Sequence, residues 1–491
     1  MAKKYTRKEF LQSGSIAALA LLLSNCNDTP SSEKKAKAQP SPISAADSIG
    51  SSETNQSRFA CEILEKENPR YEKYRQGFNR RINLWPLAIA LPTNTEEVAE
   101  AVRYAHHHQL KISVRSGGHS MEGFSSNNDG LLIHLGKMNA VEFVNESTIR
   151  VEPGCTLSKL NDVLLPQGRL LPAGSCGSVA IGGLTTGGGY GLFSRQFGLT
   201  CDHLMEATMV DGNGKICSTK NDSDLLWALR GGGSGNFGIV TQMIFETKEA
   251  PKTMISHHFK AKKLDASRAR AILSTWFAST STLPHACFSA FVLNGSTLNV
   301  LITNFEKDNL EVNNCIQQLK EVCDTYSAGN RLPLAQKLKN YYGSEKPVFF
   351  RNSSAGFYKD FQHISACIEE VFKEIIQQPG MIFQVNTLGG KIKDSVFQSQ
   401  SCFAHRDYNY ISEIQAYWEQ SKMEEPLHRV TQRCLQLLNQ EGIKAQYINY
   451  CSLEFKDWQS AYYGDQYEKL REIKRKYDHQ NYIQHPQSIE V

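Results

Sequence analysis

The chain has 491 residues, 40% of them hydrophobic, and a formal net charge of +4. That length exceeds one compact core and suits two domains. The small positive excess, with no Lys/Arg stripe interleaved with aromatics, gives no basis for a nucleic-acid partner.

The first 26 residues read as an export signal. Lys3, Lys4, Arg7 and Lys8 form a basic start, and Ile16 to Leu23 an apolar run shorter than the roughly 20 residues a bilayer span needs. Thr6-Arg7-Lys8-Glu9-Phe10-Leu11-Gln12 resembles a twin-arginine signal with Lys8 in place of the second arginine. Leu23-Ser24-Asn25-Cys26 resembles a lipobox with Cys26 as the lipidated residue, although Asn25 stands where a small residue is expected. A plain secretory signal with a chance cysteine is the alternative. Residues 27–57 are rich in Ser, Ala, Pro and charge and read as a flexible tether. The expected location is therefore the periplasm or a membrane surface, with membrane contact only through Cys26.

Helix and strand signals then alternate. Pro92 to Val98 starts a helix that Thr95 can cap, with Val98, Val102 and Ala105 on one face. Three adjacent histidines, His106 to His108, close it; they cannot share one face and do not form a metal site. Lys111 to Arg115, Leu131 to Leu135 and Thr148 to Val151 read as strands and Thr156 to Leu165 as a helix. Two glycine-rich stretches follow, Gly174 to Gly191 and Gly231 to Gly238. Glycines at this density suit backbone that approaches a ligand and presents bare N–H groups. The second contains a literal GxGxxG, but it follows the helical stretch Asp224 to Leu229 and opens the strand Ile239 to Phe245. That order is the reverse of the one a dinucleotide on a helix N-terminus requires.

From residue 250 to 442 glycine thins out, and amphipathic stretches and strands such as Leu298 to Asn304 mark a second domain. Ala445 to Tyr450 reads as a strand and Tyr467 to Tyr477 as a helix. Of 13 cysteines, eleven remain once Cys26 and Cys176 are set aside, without metal-ligand spacing; most read as small buried residues.

Several segments together resemble the berberine-bridge-type FAD-linked oxidases with the vanillyl-alcohol-oxidase (PCMH-type) flavin fold. They are Val114-Arg115-Ser116-Gly117-Gly118-His119-Ser120, Gly174-Ser175-Cys176-Gly177-Ser178-Val179-Ala180-Ile181-Gly182-Gly183, Gly198-Leu199-Thr200-Cys201-Asp202, Asp224 to Gly238, and Tyr447-Ile448-Asn449-Tyr450 with the tail to Asp478. The resemblance implies an α+β protein. A two-subdomain FAD-binding domain over 76–249 is completed by a C-terminal segment, 443–491. Between them, 250–442 is a substrate domain with an antiparallel sheet flanked by helices.

It also implies FAD bonded twice, through His119 to the flavin 8α-methyl and through Cys176 to C6. An imidazole nitrogen and a thiolate are competent nucleophiles for those positions. Arg115, Ser116, Gly117, Gly118, Ser120, Val179, Gly182, Gly183, Gly187, Gly188, Tyr190, Gly191, Asp202, Asn236, Gly238, Ile239, Val240, Tyr447 and Asn449 complete the cofactor set.

The resemblance makes a tyrosine of the Tyr447-x-Asn449-Tyr450 segment the base. Strand alternation places Tyr447 with Asn449 and Tyr450 opposite, and Tyr447 is favoured. A free tyrosine has a pKa of about 10, so a neighbour must assist it. Glu413, near which the family often has an active-site glutamine, Gln415 and Tyr190 are further active-site candidates. Val179 occupies the oxygen-gating position, where valine accompanies oxidase behaviour in plant relatives. The expected reaction is oxidation of a CH–OH group of a sugar, oligosaccharide or secondary alcohol, with O2 as acceptor. A dehydrogenase or oxidative cyclase is the alternative. A glycan- or partner-binding lipoprotein with a relic flavin is the reading from another class.

Overall fold

The computed structural model describes residues 61–491; the segments expected to be an export signal and a tether, with Cys26, lie outside the described residues. Strands β1 (Glu62–Glu65), β2 (Ala88–Leu91), β3 (Ile112–Arg115) and β4 (Leu131–His134) form a sheet in the order β1-β2-β4-β3. β4 pairs parallel with both β2 and β3. All of β2 and Leu131 to Ile133 are buried, the pattern of a parallel layer covered on both faces.

Helix α1 (Thr95–His107) lays Val98, Ala101, Val102 and Ala105 on that sheet. Its cap is Asn94 rather than Thr95. The extended Asn94 accepts from Glu97 N at 2.9 Å, while the Thr95 hydroxyl turns to Thr241 Oγ1 at 2.9 Å.

The second sheet is antiparallel, in the order β5-β6-β9-β7-β8. It is built from β5 (Val141–Phe143), β6 (Thr148–Val151), β7 (Leu204–Asp211), β8 (Ile216–Ser218) and β9 (Gly238–Glu246). Helices α2 (Leu157–Leu164), α3 (Ile181–Thr186) and α4 (Ser223–Leu229) lie between its strands in sequence. The literal GxGxxG loop leaves α4 and enters β9, so it is not the start of a helix.

The third sheet is antiparallel throughout: β10 (Thr253–Ala261), β11 (Cys287–Asn294), β12 (Thr297–Asn304), β13 (Thr325–Ala328), β14 (Phe349–Tyr358), β15 (Met381–Thr387) and β16 (Tyr410–Trp418), ordered β13-β10-β12-β11-β15-β16-β14. Its strands sort their side chains with period two. Cys287, Phe291 and Leu293 of β11, Met381, Phe383 and Val385 of β15, and Ile414 and Ala416 of β16 enter one core. That core also contains residues of helices α5 (Ala266–Thr280), α6 (Leu310–Val322), α7 (Ile368–Gln377) and α8 (Glu424–Gln440). The intervening residues Phe288, Ala290, Val292, Ile382 and Ile411 face the other way, against Tyr190, Leu192 and Phe193. This is the expected α+β arrangement with an antiparallel sheet under helices. All twelve described cysteines are free thiols, most of them buried.

The tail departs from expectation. Ala445 to Tyr447 is irregular and Ile448–Tyr450 is a 3-10 turn, not a strand. Its backbone groups are satisfied outside any ladder: Gln446 N donates to Ala461 O at 2.8 Å and Tyr447 N to Ser354 Oγ at 3.1 Å.

Helix α9 (Tyr467–Asp478) then anchors the end of the chain. Lys474, with a fully buried side chain, gives its three protons to Asp478 Oδ2 (2.7 Å), Asn236 O (2.7 Å) and Ile483 O (2.8 Å). Breaking such a pair leaves a buried carboxylate alone, at about 3–5 kcal/mol. Lys474→Met is therefore expected to lower unfolding free energy by about that amount; chemical denaturation checks it, and a loss within experimental error would contradict the clasp.

Candidate functional site

One cavity runs between the third sheet and the glycine-rich loops, with about 2360 Å3 of open volume including the part continuous with solvent. Its wall takes backbone from Ser116 to Ser120, from Gly182 and Gly183, and from Gly233 to Gly238. Gly118 is in the left-handed region at φ 75°, which turns the chain sharply after β3. A Cβ on Gly117 would lie 2.7 Å from Ala180 N, so the first glycine loop can touch the second only without a side chain.

His119 and Cys176 meet in this cavity. Ser178 Oγ is 3.1 Å from His119 Nε2 and 3.6 Å from Cys176 Sγ. Phe78 stacks on the imidazole at 4.2 Å. Burial pushes the His119 pKa down to about 4, so the ring is neutral above that pH. The turn is held from behind by the buried Arg115, whose guanidinium donates to the carbonyls of Tyr74 (2.9 Å), Arg75 (2.9 Å) and Ser125 (3.2 Å). Glu122 pairs with Arg81 at 2.7 Å and lies 3.8 Å from Arg351, tying the residues after His119 to β14.

At the other end the third sheet supplies amides and aromatics: Asn352 of β14, Gln384 and Asn386 of β15, and Glu413, Gln415 and Tyr417 of β16. Gln415 Nε2 donates to Gln384 Oε1 at 3.2 Å, and Gln384 Nε2 to Asn386 Oδ1 at 2.9 Å. Gln415 Oε1 and Asn352 Oδ1 are buried without a donor. Among the described residues, Glu413 is the only carboxylate in the wall, and no lysine or arginine lines it. Burial pushes the Glu413 pKa up to about 7 against a hydrogen bond from Gln415.

The two tail tyrosines divide their work differently from the strand-based expectation. Tyr447 Oη accepts from Gly189 N (3.1 Å), Tyr190 N (3.1 Å) and Asn449 Nδ2 (3.0 Å). Tyr450 packs its ring on Tyr447 at 4.9 Å, and its hydroxyl has no hydrogen bond within the described residues. Burial and the nearby Glu413 hold the Tyr450 pKa well above 10. Both tyrosines line the cavity; Tyr450 brings a phenol without a hydrogen-bond partner among the described residues, and Tyr447 one whose oxygen receives three N–H groups.

Five cofactor candidates do not line the cavity. Arg115 braces the turn as described. Asp202 is committed to a buried pair with Arg406 (2.5 Å) and to Leu199 N (2.8 Å). Ile239 points into the core on the face of β9 opposite Gly238 and Val240, as period two requires. Gly187 and Gly188 make room for Asn449 and Phe403 rather than for a ligand. Tyr190, proposed at the substrate, shows the cavity its ring; its hydroxyl donates to Thr387 O at 2.7 Å.

Sequence reading missed Phe78, Ser178, Asn352, Gln384, Asn386, Tyr417 and His485, all but Ser178 in the wall. A signal was available for the sheet residues. Phe383-Gln384-Val385-Asn386 and Glu413-Ile414-Gln415-Ala416-Tyr417 alternate apolar with polar or aromatic residues, and polar residues on a buried face mark a site.

The residues present fit FAD. Two nucleophiles face one cavity, bare backbone N–H groups of the first glycine loop can receive phosphates, and His485 stacks on Phe124 at 4.4 Å among the tail residues at the far wall.

Comparison with known proteins agrees. Residues 86–220 match the family model described as an FAD binding domain, and residues 446–490 the one described as berberine and berberine like. An uncharacterised FAD-linked oxidoreductase of Bacillus subtilis (strain 168), YvdP, is 27% identical over 449 residues, 87% of this chain and 97% of that one. A glucooligosaccharide oxidase of Sarocladium strictum is 28% identical over 464 residues, 87% and 92% of the two chains. The crystal structure of an Acremonium strictum glucooligosaccharide oxidase, described as revealing a novel flavinylation, superposes with a TM-score of 0.79 at 25% identity, covering 88% of this chain and 96% of that one.

The hydrogen bonds predict a contrast between the two tyrosines. Tyr447→Phe strands three buried donors and is expected to cost about 1–3 kcal/mol. Tyr450→Phe removes a hydroxyl that bonds nothing within the described residues and is expected to stay within about 0.5 kcal/mol of the parent. Denaturation of the two variants checks this, and equal losses would contradict it.

Proposed function

We propose, from the premise that this chain is a berberine-bridge-type FAD-linked oxidoreductase, that it holds FAD through His119 and Cys176 and oxidises a CH–OH group of a neutral sugar, oligosaccharide or secondary alcohol. The observation that carries the substrate class is the pair of buried, donor-less amide oxygens, Gln415 Oε1 and Asn352 Oδ1, in a wall of amides and aromatic rings beside Tyr450 and Glu413. A buried acceptor without a partner costs about 1–3 kcal/mol, a cost that a bound hydroxyl removes. Among the described residues the wall carries no lysine or arginine to pair with a sugar acid or phosphate. The similarity to oligosaccharide oxidases points the same way.

When bound, FAD supplies the two-electron acceptor for the C–H hydride. The proton is the work of the chain. Tyr450 stays a phenol at rest because its pKa is far above neutrality, so it acts as a relay. Its oxygen takes the substrate hydroxyl proton while its own proton passes to the Glu413 carboxylate. Tyr447, saturated by three N–H donors, holds the Gly189–Tyr190 turn and does not exchange a proton. O2 is the proposed final acceptor, giving hydrogen peroxide, with Val179 in the cavity wall at the attachment end. Export of the chain, with Cys26 as a lipid anchor, completes the proposal and rests on the sequence of residues 1–26.

The relay fixes the sign of the pH dependence. Glu413 must be ionised to accept, so kcat is expected to rise with pH and level off above about 7. The same raised pKa makes the fold lose stability as pH rises through that value, since the neutral acid is the form that burial favours. Glu413→Gln is expected to remove the rise and to lower kcat by about 10²-fold or more. A wild-type profile flat between pH 5 and 9, or a Glu413→Gln profile identical to it, would contradict the relay. The substrate class is checked by anaerobic bleaching of the flavin with a panel of sugars and alcohols. Bleaching by neutral saccharides is expected; bleaching only by acids or phosphates would overturn it.

A further inference from the structure

Ser178 has no role in the reaction just described, yet its hydroxyl touches both attachment residues. It stands 3.1 Å from His119 Nε2 and 3.6 Å from Cys176 Sγ, within hydrogen-bond reach of each. The three side chains form a chain of contacts across 59 residues of sequence. Their placement is fixed from several sides. Phe78 stacks on the imidazole at 4.2 Å, and Gly177 between Cys176 and Ser178 donates its N–H to Tyr342 O at 2.9 Å. A Cβ on Gly177 would press into Tyr342 at 2.8 Å, so the Cys176–Ser178 turn is packed in one position.

We propose that Ser178 is a positioning residue for cofactor attachment, accepting a hydrogen bond from His119 Nε2–H and donating one to Cys176 Sγ, so that a single hydroxyl readies both nucleophiles. This rests on the double-attachment reading above. A neutral imidazole carries one N–H. With that proton held on Nε2 by Ser178 Oγ, the lone pair is on Nδ1, which becomes the nitrogen that bonds. The low pKa of the buried ring keeps it neutral at physiological pH. The same hydroxyl, having accepted from Nε2, has its proton left for sulfur, and a hydrogen bond to a thiolate favours the reactive form. The chemistry balances without a further group. Each new C–N or C–S bond replaces one hydrogen of the cofactor. That hydrogen and the nucleophile's proton leave with two electrons, which reduce one O2 to hydrogen peroxide.

The test compares wild type, Ser178→Ala and Ser178→Thr. The first readout is the time course of flavin mass on the His119 and Cys176 peptides after FAD is added to full-length chain produced in riboflavin-starved cells. The second is the rate at which iodoacetamide labels Cys176 in that chain at neutral pH before FAD is added. A charge-assisted hydrogen bond corresponds to a factor of about ten or more. Ser178→Ala is expected to slow attachment at both residues and labelling of Cys176 by about tenfold, with Ser178→Thr close to wild type and melting temperatures alike. Attachment and labelling at wild-type rates in Ser178→Ala would overturn the proposal, and so would slowing at Cys176 alone, since the coupling to His119 would be absent. If wild type gains no flavin mass, the attachment reading fails. The labelling rate then decides whether Ser178 acts on the thiol, and an unchanged rate overturns that as well. Ser178→Gly replaces Ser178→Ala if the latter does not fold.

Discussion

The ammonium of Lys474 is the point on which the cofactor half of this structure turns. Its side chain is fully buried, and its three N–H groups are spent on the tail carboxylate Asp478, the glycine-loop carbonyl of Asn236 and the tail carbonyl of Ile483. A buried charge is tolerated only when every proton finds an acceptor, so the three segments have one way to come together. Asp478 in turn receives the N–H groups of Tyr482 (2.9 Å) and Ile483 (3.0 Å), folding the tail back so that Ile483 pairs with Ile112 of β3. The end of the chain thereby closes the cavity that residues nearly four hundred positions earlier begin.

The other half of the cavity follows from sheet geometry. An antiparallel sheet that buries one face under helices must offer its alternate residues elsewhere. Here those residues are Asn352, Gln384, Asn386, Glu413 and Gln415. Two surfaces with different physics thus share one space. The glycine loops present bare backbone and two nucleophiles, and the sheet presents amides, rings and one carboxylate that burial keeps poised near neutrality. That division matches the demands of an FAD-linked oxidoreductase: a cofactor on one side and an exchangeable substrate on the other.

Much of the glycine-rich side of the cavity was legible in the sequence because glycine leaves a local signature. His119 follows Gly118 and Cys176 precedes Gly177 in the chain, and the structure brings both side chains to one cavity. The reversed order of helix and strand around Gly231 to Gly238 also read correctly, since periodicity alone shows it. What failed depended on tertiary partners. Nothing local tells that Asp202 is claimed by Arg406 across 204 residues, or that the Tyr190 hydroxyl is claimed by Thr387. The Tyr447–Tyr450 segment has the β-forming composition of a strand, but Tyr447 N bonds the Ser354 side chain of β14 and the chain turns at Ile448–Tyr450, a tertiary choice that nothing local announces. The amide wall was readable only by asking why polar residues alternate inside buried strands.

The proposed bonding of the flavin by both His119 and Cys176 is tested most directly by denaturation. Wild-type protein precipitated in acid is predicted to keep its yellow colour, His119→Ala and Cys176→Ala each to keep it through the remaining bond, and only the double variant to release flavin into the supernatant. Release of all flavin from acid-precipitated wild type would contradict the claim.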